Sequence, residues 1–262
     1  MAAAAVAVLV AAPVARGVDH LPNLRMAQLR ELRIERTPDG HKLLRYTTVI
    51  VNVGAGPFEL RGARPDTATS DMTVTQRIAD DSAQQYHDVA TSAAMFYAGD
   101  GHNHWHVRDL ETGDIRPIAG VGPVRALAKH GFCFWDNTPF SLTLPGAPGI
   151  SRYAGCGEPS DTAVTMGLSI GWGDTYPWNV AFQYVDVTGI DSGYLRLSTT
   201  VNTQLGLVES NTGDNGTWAD LSLNGDTVSV FAYGPAASPT AFVIRPPAPG
   251  PVPIPFPIPF PR

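Results

Sequence analysis

The sequence predicts an all-β protein, a β-sandwich with long loops and little helix. Short runs rich in Val, Ile, Thr and aromatic residues recur along the chain, divided by Gly, Pro, Asn and Asp. No stretch of ten or more residues carries the apolar period of an amphipathic helix. The Gly-, Pro- and Ser-rich stretch Phe140–Thr162 has no period at all and reads as a long ordered loop. At 262 residues the chain is long enough for a real core, in one domain or two.

Taken in order, Ala2–Ala15 is an apolar run ending Ala-Pro-Val-Ala before Arg16 and Gly17. It is too short to span a bilayer, so no membrane span is expected. It resembles a signal-peptide core cleaved near Ala15, though without a basic lead-in, which sets residues 1–17 apart and predicts a secreted, extracellular protein. Arg25–Leu32 has the pattern for one or two helical turns. Glu31–Glu35 and Leu43–Val53 read as strands around Thr37-Pro38-Asp39-Gly40, where proline fixes φ and glycine accepts φ > 0. The β-branched Tyr46–Val53 reads as a central strand. Ala55-Gly56-Pro57 breaks it, and strands are expected at Phe58–Leu60, Val74–Ile78 and Tyr86–Val89. Further strands are expected at Val107–Ile115 (through a Thr-Gly-Asp turn), Gly131–Trp135, Phe182–Val187, Gly193–Val201 and Asp220–Val230. From Arg245 the composition shifts: nine prolines in Pro246–Pro261 remove too many amides for helix or sheet and favour an extended tail, a spacer outside a domain of residues 18–244.

A net charge of -6 argues against nucleic acid as a partner. Cys133 and Cys156 are too far apart for a zinc knuckle and, in a secreted protein, read as one disulfide. His102, His104 and His106 stand at i, i+2 and i+4. Imidazole is the commonest metal ligand, and three of them suit copper or zinc with an open position. A straight strand would separate the outer two by roughly 13 Å, so one metal can take all three only on a curved backbone. Gly99, Gly101 and Asn103 are residues that permit the bend. The chain has sixteen arginines but only two lysines, Lys42 and Lys129. A lysine can become a neutral nucleophile, and an arginine cannot.

Three other stretches stand out: Ala128-Lys129-His130-Gly131-Phe132-Cys133, the glycine-rich Gly167–Tyr176 ending Asp174-Thr175-Tyr176, and the oxygen-rich loop Glu209–Asn215. Together with the histidines, and in this order, they resemble the catalytic domain of the lysyl oxidase family. The family's marks are His-x-His-x-His followed three residues on by an acid, a lysine shortly before Phe-Cys, and Gly-Leu-Ser leading to Asp-Thr-Tyr. The likeness spans roughly Leu21 to Val230.

The resemblance implies a copper- and quinone-dependent amine oxidase. It would oxidise primary amines (peptidyl lysine or small amines) to aldehydes with O₂, releasing hydrogen peroxide and ammonia. His102, His104 and His106 would bind copper, and Lys129 and Tyr176 would join as lysine tyrosylquinone. Asp109 and Asp174 are candidates for the general base or for orienting groups, Asp109 alternatively as a partner holding an imidazole. The family's calcium site maps onto Asn23, Leu24, Glu209, Asn211, Asp214 and Asn215, with amides at Asn23 and Asn211 where the family has acids, which should weaken calcium. Asn215-Gly216-Thr217 is also a glycosylation sequon or a plain polar turn. With two cysteines and no Trp-His-x-Cys lead-in, the chain resembles a compact, microbial-type relative. The competing readings are a secreted copper-binding β-sandwich without turnover, and a zinc hydrolase, for which no paired general-base glutamate is evident.

Overall fold

The computed structural model describes residues 17–82, 84–98, 103–119 and 121–238. The expected signal segment up to Arg16, His102 with Gly99–Gly101, and the Pro-rich tail lie outside the described residues. Among those described there is no helix.

The strands run, in order, β1 (Asp19–His20), β2 (Leu24–Met26), β3 (Arg30–Arg36), β4 (Lys42–Asn52), β5 (Phe58–Ala63) and β6 (Asp71–Asp80). Next come β7 (Tyr86–Tyr97), β8 (Trp105–Arg108), β9 (Glu111–Pro117), β10 (Arg125–Ala126), β11 (Gly131–Phe132) and β12 (Thr138–Pro139). The series closes with β13 (Ala163–Leu168), β14 (Trp172–Tyr176), β15 (Tyr184–Asp186), β16 (Ser192–Val201), β17 (Gly216–Asn224) and β18 (Thr227–Tyr233).

They form three antiparallel sheets. One follows the order β11-β8-β7-β6-β5-β13 with β1 on β6, and a second runs β10-β9-β16-β17-β18. In the third, β12-β14-β4-β15, β2 and β3 also pair with β4. β4 is buried along almost its whole length, as its β-branched run predicts for a central strand. One large apolar cluster, including Trp105, Phe132, Phe134 and Tyr176, joins the sheets. The Thr37–Gly40 turn closes with Gly40 at φ 94° and its N–H donating to the Thr37 carbonyl at 3.0 Å.

Three local expectations are corrected. Arg25–Leu32 is extended, not helical: its apolar residues alternate into the core beside β4, and tertiary pairing overrides helix propensity. Thr112-Gly113-Asp114 is not a turn but lies inside β9, paired with β16. Asp220–Val230 is a hairpin, turning at Asn224-Gly225-Asp226 with Gly225 at φ 56°. The glycine-rich run is two strands, β13 and β14. Its glycines serve close approach: a Cβ on Gly167 would meet the Tyr153 ring at 2.5 Å, and one on Gly171 the Ser141 carbonyl oxygen at 2.4 Å.

The disulfide joins Cys133 to Cys156 across 23 residues, Cα to Cα 5.8 Å. It anchors the long loop to the histidine strand, because the Cys156 carbonyl accepts the Trp105 N–H at 3.0 Å.

Candidate active site

β7 and β8 pair with Phe96 opposite His106, and the chain between them returns through Asn103 at φ 52°. Asparagine tolerates that left-handed bend, which turns His104 back onto β7, its carbonyl accepting the Ala98 N–H at 3.0 Å. The His104 and His106 rings stand at 74°, with their Nε2 atoms 2.8 Å apart. Two imidazoles about 2.0–2.1 Å from one metal and at right angles around it would put their nitrogens about 2.9 Å apart, so this pair could hold a metal such as copper or zinc. His106 is buried, edge-on to Phe96. It needs glycine beside it: a Cβ at Gly131 would lie 2.5 Å from His106 Nδ1.

Lys129 lies between β10 and β11 and is 3 % exposed. Its Nζ stands 5.2 Å from the centroid of the Tyr176 ring and 5.5 Å from that of Phe132. Tyr176 ends β14, buried edge-on against Phe132, and its hydroxyl donates to the Cys133 carbonyl. The other lysine, Lys42, is equally buried, but its Nζ donates to the Ile190 carbonyl at 2.8 Å and holds the fold. The disulfide thus sits behind the site: Cys133 fixes the tyrosine and Cys156 the histidine strand.

Around this pair lies a cluster of buried polar side chains. Asp174 is buried and accepts from Asn137 Nδ2. Burial drives its carboxyl well above the carboxylate range, against the pull of the Tyr176 hydroxyl and Lys129. Burial likewise drives the Tyr176 phenol far up, with Asp174 and Glu111 adding to it. Glu111, at the start of β9, is 1 % exposed. Its Oε2 accepts Thr48 Oγ1 at 3.0 Å, Thr48 in turn receives Gln183 Nε2 at 3.4 Å, and Glu111 Oε1 has no hydrogen-bond partner. Burial pushes this carboxyl to about 8, Thr48 and Lys129 opposing. Glu111, Thr48 and Gln183 were missed in the sequence; the only signal was an acid two residues beyond Asp109 in a strand that otherwise buries apolar groups.

Asp109, with φ 52°, accepts the His130 N–H at 2.7 Å and donates its own N–H to the His130 carbonyl at 2.8 Å. The imidazole it holds is therefore His130, not His104 or His106. His130, Lys129 and His106 open on one cavity of about 280 Å³ walled by Phe96, Ala98 and Phe182. Phe182 is held at φ 60°, a strained setting for an aromatic residue that turns the chain at the cavity wall. A larger cavity of about 400 Å³ lies elsewhere, beside Ala27 and Phe140, away from these groups.

The residues expected for calcium also meet. Glu209 accepts the Leu24 N–H at 2.5 Å, Asn202 Nδ2 at 2.7 Å and Asn215 Nδ2 at 2.9 Å. In the orientation that satisfies its neighbours, Asn23 donates to the Asn211 carbonyl at 2.8 Å and to Asp214 Oδ1 at 3.2 Å. Arg25 Nε pairs with Asp214 at 3.1 Å. Asn215 is buried with its amide nitrogen spent on Glu209 and on the Val201 carbonyl, so the sequon reads as structural in this fold.

No curated protein matches the chain. The family model for lysyl oxidase matches residues 75–232, more than half of the chain, from the middle of β6 to the end of β18. That span carries the histidines, Lys129 and Tyr176 together with Glu111, Asp174 and Gln183, but not Thr48. The chain belongs to the lysyl oxidase family.

Proposed function

We propose that the protein is a secreted copper amine oxidase, converting primary amines to aldehydes with release of hydrogen peroxide and ammonia. The observation that carries this reading is the buried approach of Lys129 Nζ to the Tyr176 ring, 5.2 Å from its centroid. In this reading His102, His104 and His106 hold copper. When formed, the quinone joined to Lys129 supplies the electron sink for amine oxidation.

The chain's own residues do the rest. Phe96 and Phe182 give the cavity an apolar lining, which suits the alkyl chain of an unbranched amine such as a lysine side chain. Asp109 fixes the His130 ring at the cavity rim. Asp174 lies beside Tyr176, and its burial, which drives the carboxyl above the carboxylate range, makes its ionised form a strong base for a substrate proton.

The test is peptide mapping of copper-loaded, aerated protein. A Lys129–Tyr176 cross-link with a visible band that shifts with phenylhydrazine supports the reading, as does peroxide release on adding a primary amine. One bound copper with Tyr176 intact favours the copper-binding sandwich without turnover instead. Calcium at Asn23, Leu24, Glu209, Asn211, Asp214 and Asn215 is a second proposal. It is favoured by Asn23, whose amide, turned over, would present its oxygen to the same two oxygens.

A further inference from the structure

We propose that Glu111 is the proton acceptor for Lys129: its carboxylate takes a proton from the lysine ammonium and leaves the neutral amine that bonds to the oxidised Tyr176 ring. One N–H bond breaks, one O–H bond forms, and no electrons are exchanged. The inference rests on the amine-oxidase reading and assigns a residue to the formation of its cofactor.

Strand register carries the argument. Arg125 lies opposite Ile115 and Ala126 opposite Asp114, and the Leu127 N–H reaches the Gly113 carbonyl at 2.8 Å. From the far side the β8–β11 register, with Gly131 opposite Arg108 and the Asp109 N–H on the His130 carbonyl, reaches Lys129 as well, so the two pairings bracket Lys129 against Leu110 and Glu111. From the other side, Thr48 is the register partner of Tyr176 and donates to Glu111 Oε2 at 3.0 Å. Glu111 is thus tied to both halves of the future cofactor, to one through the register and to the other through Thr48. Its Oε1 is buried without a hydrogen-bond partner, a costly state unless that oxygen has a proton to take.

The surroundings make the transfer feasible. An ordinary carboxylate lies about 6 pH units below an ordinary lysine, which makes proton transfer steeply uphill. Burial raises Glu111 to about 8 and closes most of that gap. The titratable groups facing it are Tyr46 on β4, Asp174 and Tyr176 on β14, and Lys129 itself, while Val201, its partner on β16, brings no charge. Lys129 is the cation among them, and its charge disappears when its nitrogen joins the ring. Two buried carboxyls then remain, and a retained proton on Glu111 keeps both from ionising together.

The experiment uses the full chain prepared without copper. Copper is added in air between about pH 6 and 10, and the Lys129–Tyr176 peptide is followed by mass. In the wild type the rate should rise through about pH 8 and level off. In Glu111→Gln it should be at least about tenfold slower at pH 7, with its rise displaced toward the lysine range and the two curves converging at alkaline pH. Bound copper should be unchanged. An equal rate at pH 7, or a uniform slowing at every pH, overturns the proposal. Should that variant not fold, the wild type decides: infrared spectra at about pH 9, with ¹³C-labelled glutamate, should gain a protonated carboxyl band on cross-linking, and no gain overturns it. Wild type that binds copper and never cross-links sinks the oxidase reading as well, whereas normal wild-type cross-linking matched by the variant sinks this inference alone.

Discussion

Two regions of the molecule withdraw a glutamate from solvent, Glu111 fully and Glu209 in part, and they treat it in opposite ways. Glu209 receives three N–H donors, from Leu24, Asn202 and Asn215, which offset the cost of burial that still raises it. Glu111 receives one hydroxyl and keeps an oxygen without a partner. The first arrangement fixes a charge as part of the scaffold, tying the β2 strand to the loop before β17. The second leaves the charge poorly supported, so the group holds a proton where Lys129 and Tyr176 meet. Fuller burial and withheld hydrogen bonds together separate the proton-holding carboxyl from the structural one.

The largest effect should come from the reactive side. Lys129→Arg keeps a cation but removes the nucleophilic amine, so the expected outcome is complete loss of the cross-linked peptide and of quinone-dependent peroxide release, with copper still bound. Turnover in this variant would mean that the two regions differ in electrostatics only and that the pocket is not where the oxidation takes place.

Next in size is a pH effect on stability. Glu111 is raised from an ordinary carboxyl to about 8, so the folded state binds more protons than the unfolded chain between those values. Stability from this group is full below the unfolded value and is lost as pH rises through about 8. For copper-free protein that amounts to as much as about 5 kcal/mol between pH 4.5 and 9, measured by urea unfolding. Glu111→Gln should flatten the curve without levelling it, since Asp174 is raised in the same direction. An unchanged slope would place Glu111 in the same class as Glu209.

Breaking the disulfide tests the frame behind the pocket. Closing 23 residues is worth about 3 kcal/mol, so the Cys133→Ala, Cys156→Ala double variant should lose that much stability. Because Cys133 holds the Tyr176 hydroxyl, cross-linking should slow beyond what the lost stability explains, measured well below the unfolding temperature.

The sequence made one class of information legible and hid another. Side chains that must be a particular type for their chemistry stood out: the alternating histidines, a lysine in a chain that otherwise uses arginine, and the tyrosine after a glycine run. So did the β-branched β4 and the Pro-Asp-Gly turn. What stayed hidden depends on register between distant strands. Nothing local marks Thr48, one of several threonines and valines in β4, as the residue opposite Tyr176. Glu111 reads as an ordinary strand acid until β9 is seen against Lys129. Asp109 looked like a partner for a copper imidazole because it follows the motif, but the fold hands it to His130. The purpose of Gly167 in β13 and Gly171 just before β14, room for Tyr153 and for the Ser141 carbonyl, was not legible because those neighbours lie in segments remote in sequence.

The smallest effect belongs to the scaffold side. Glu209→Ala strands the Leu24, Asn202 and Asn215 donors and should cost about 1–3 kcal/mol without altering turnover per mole of quinone. Calcium sharpens this further. Arg25 already pairs with Asp214, so the loop carries a fixed positive charge that a divalent ion must displace or tolerate. Millimolar calcium should therefore raise the melting temperature of the wild type by a few degrees at most, and that of Glu209→Ala not at all. Arg25→Gln should enlarge the calcium response, because it removes the competing cation while leaving both carboxylates. If Arg25→Gln responds no more than the wild type, then the guanidinium and not a metal is the cation around which this loop is built. The two glutamates would then differ in one respect more: Glu209 would need nothing from outside the chain, while Glu111 would wait on copper and oxygen to give its proton transfer a purpose.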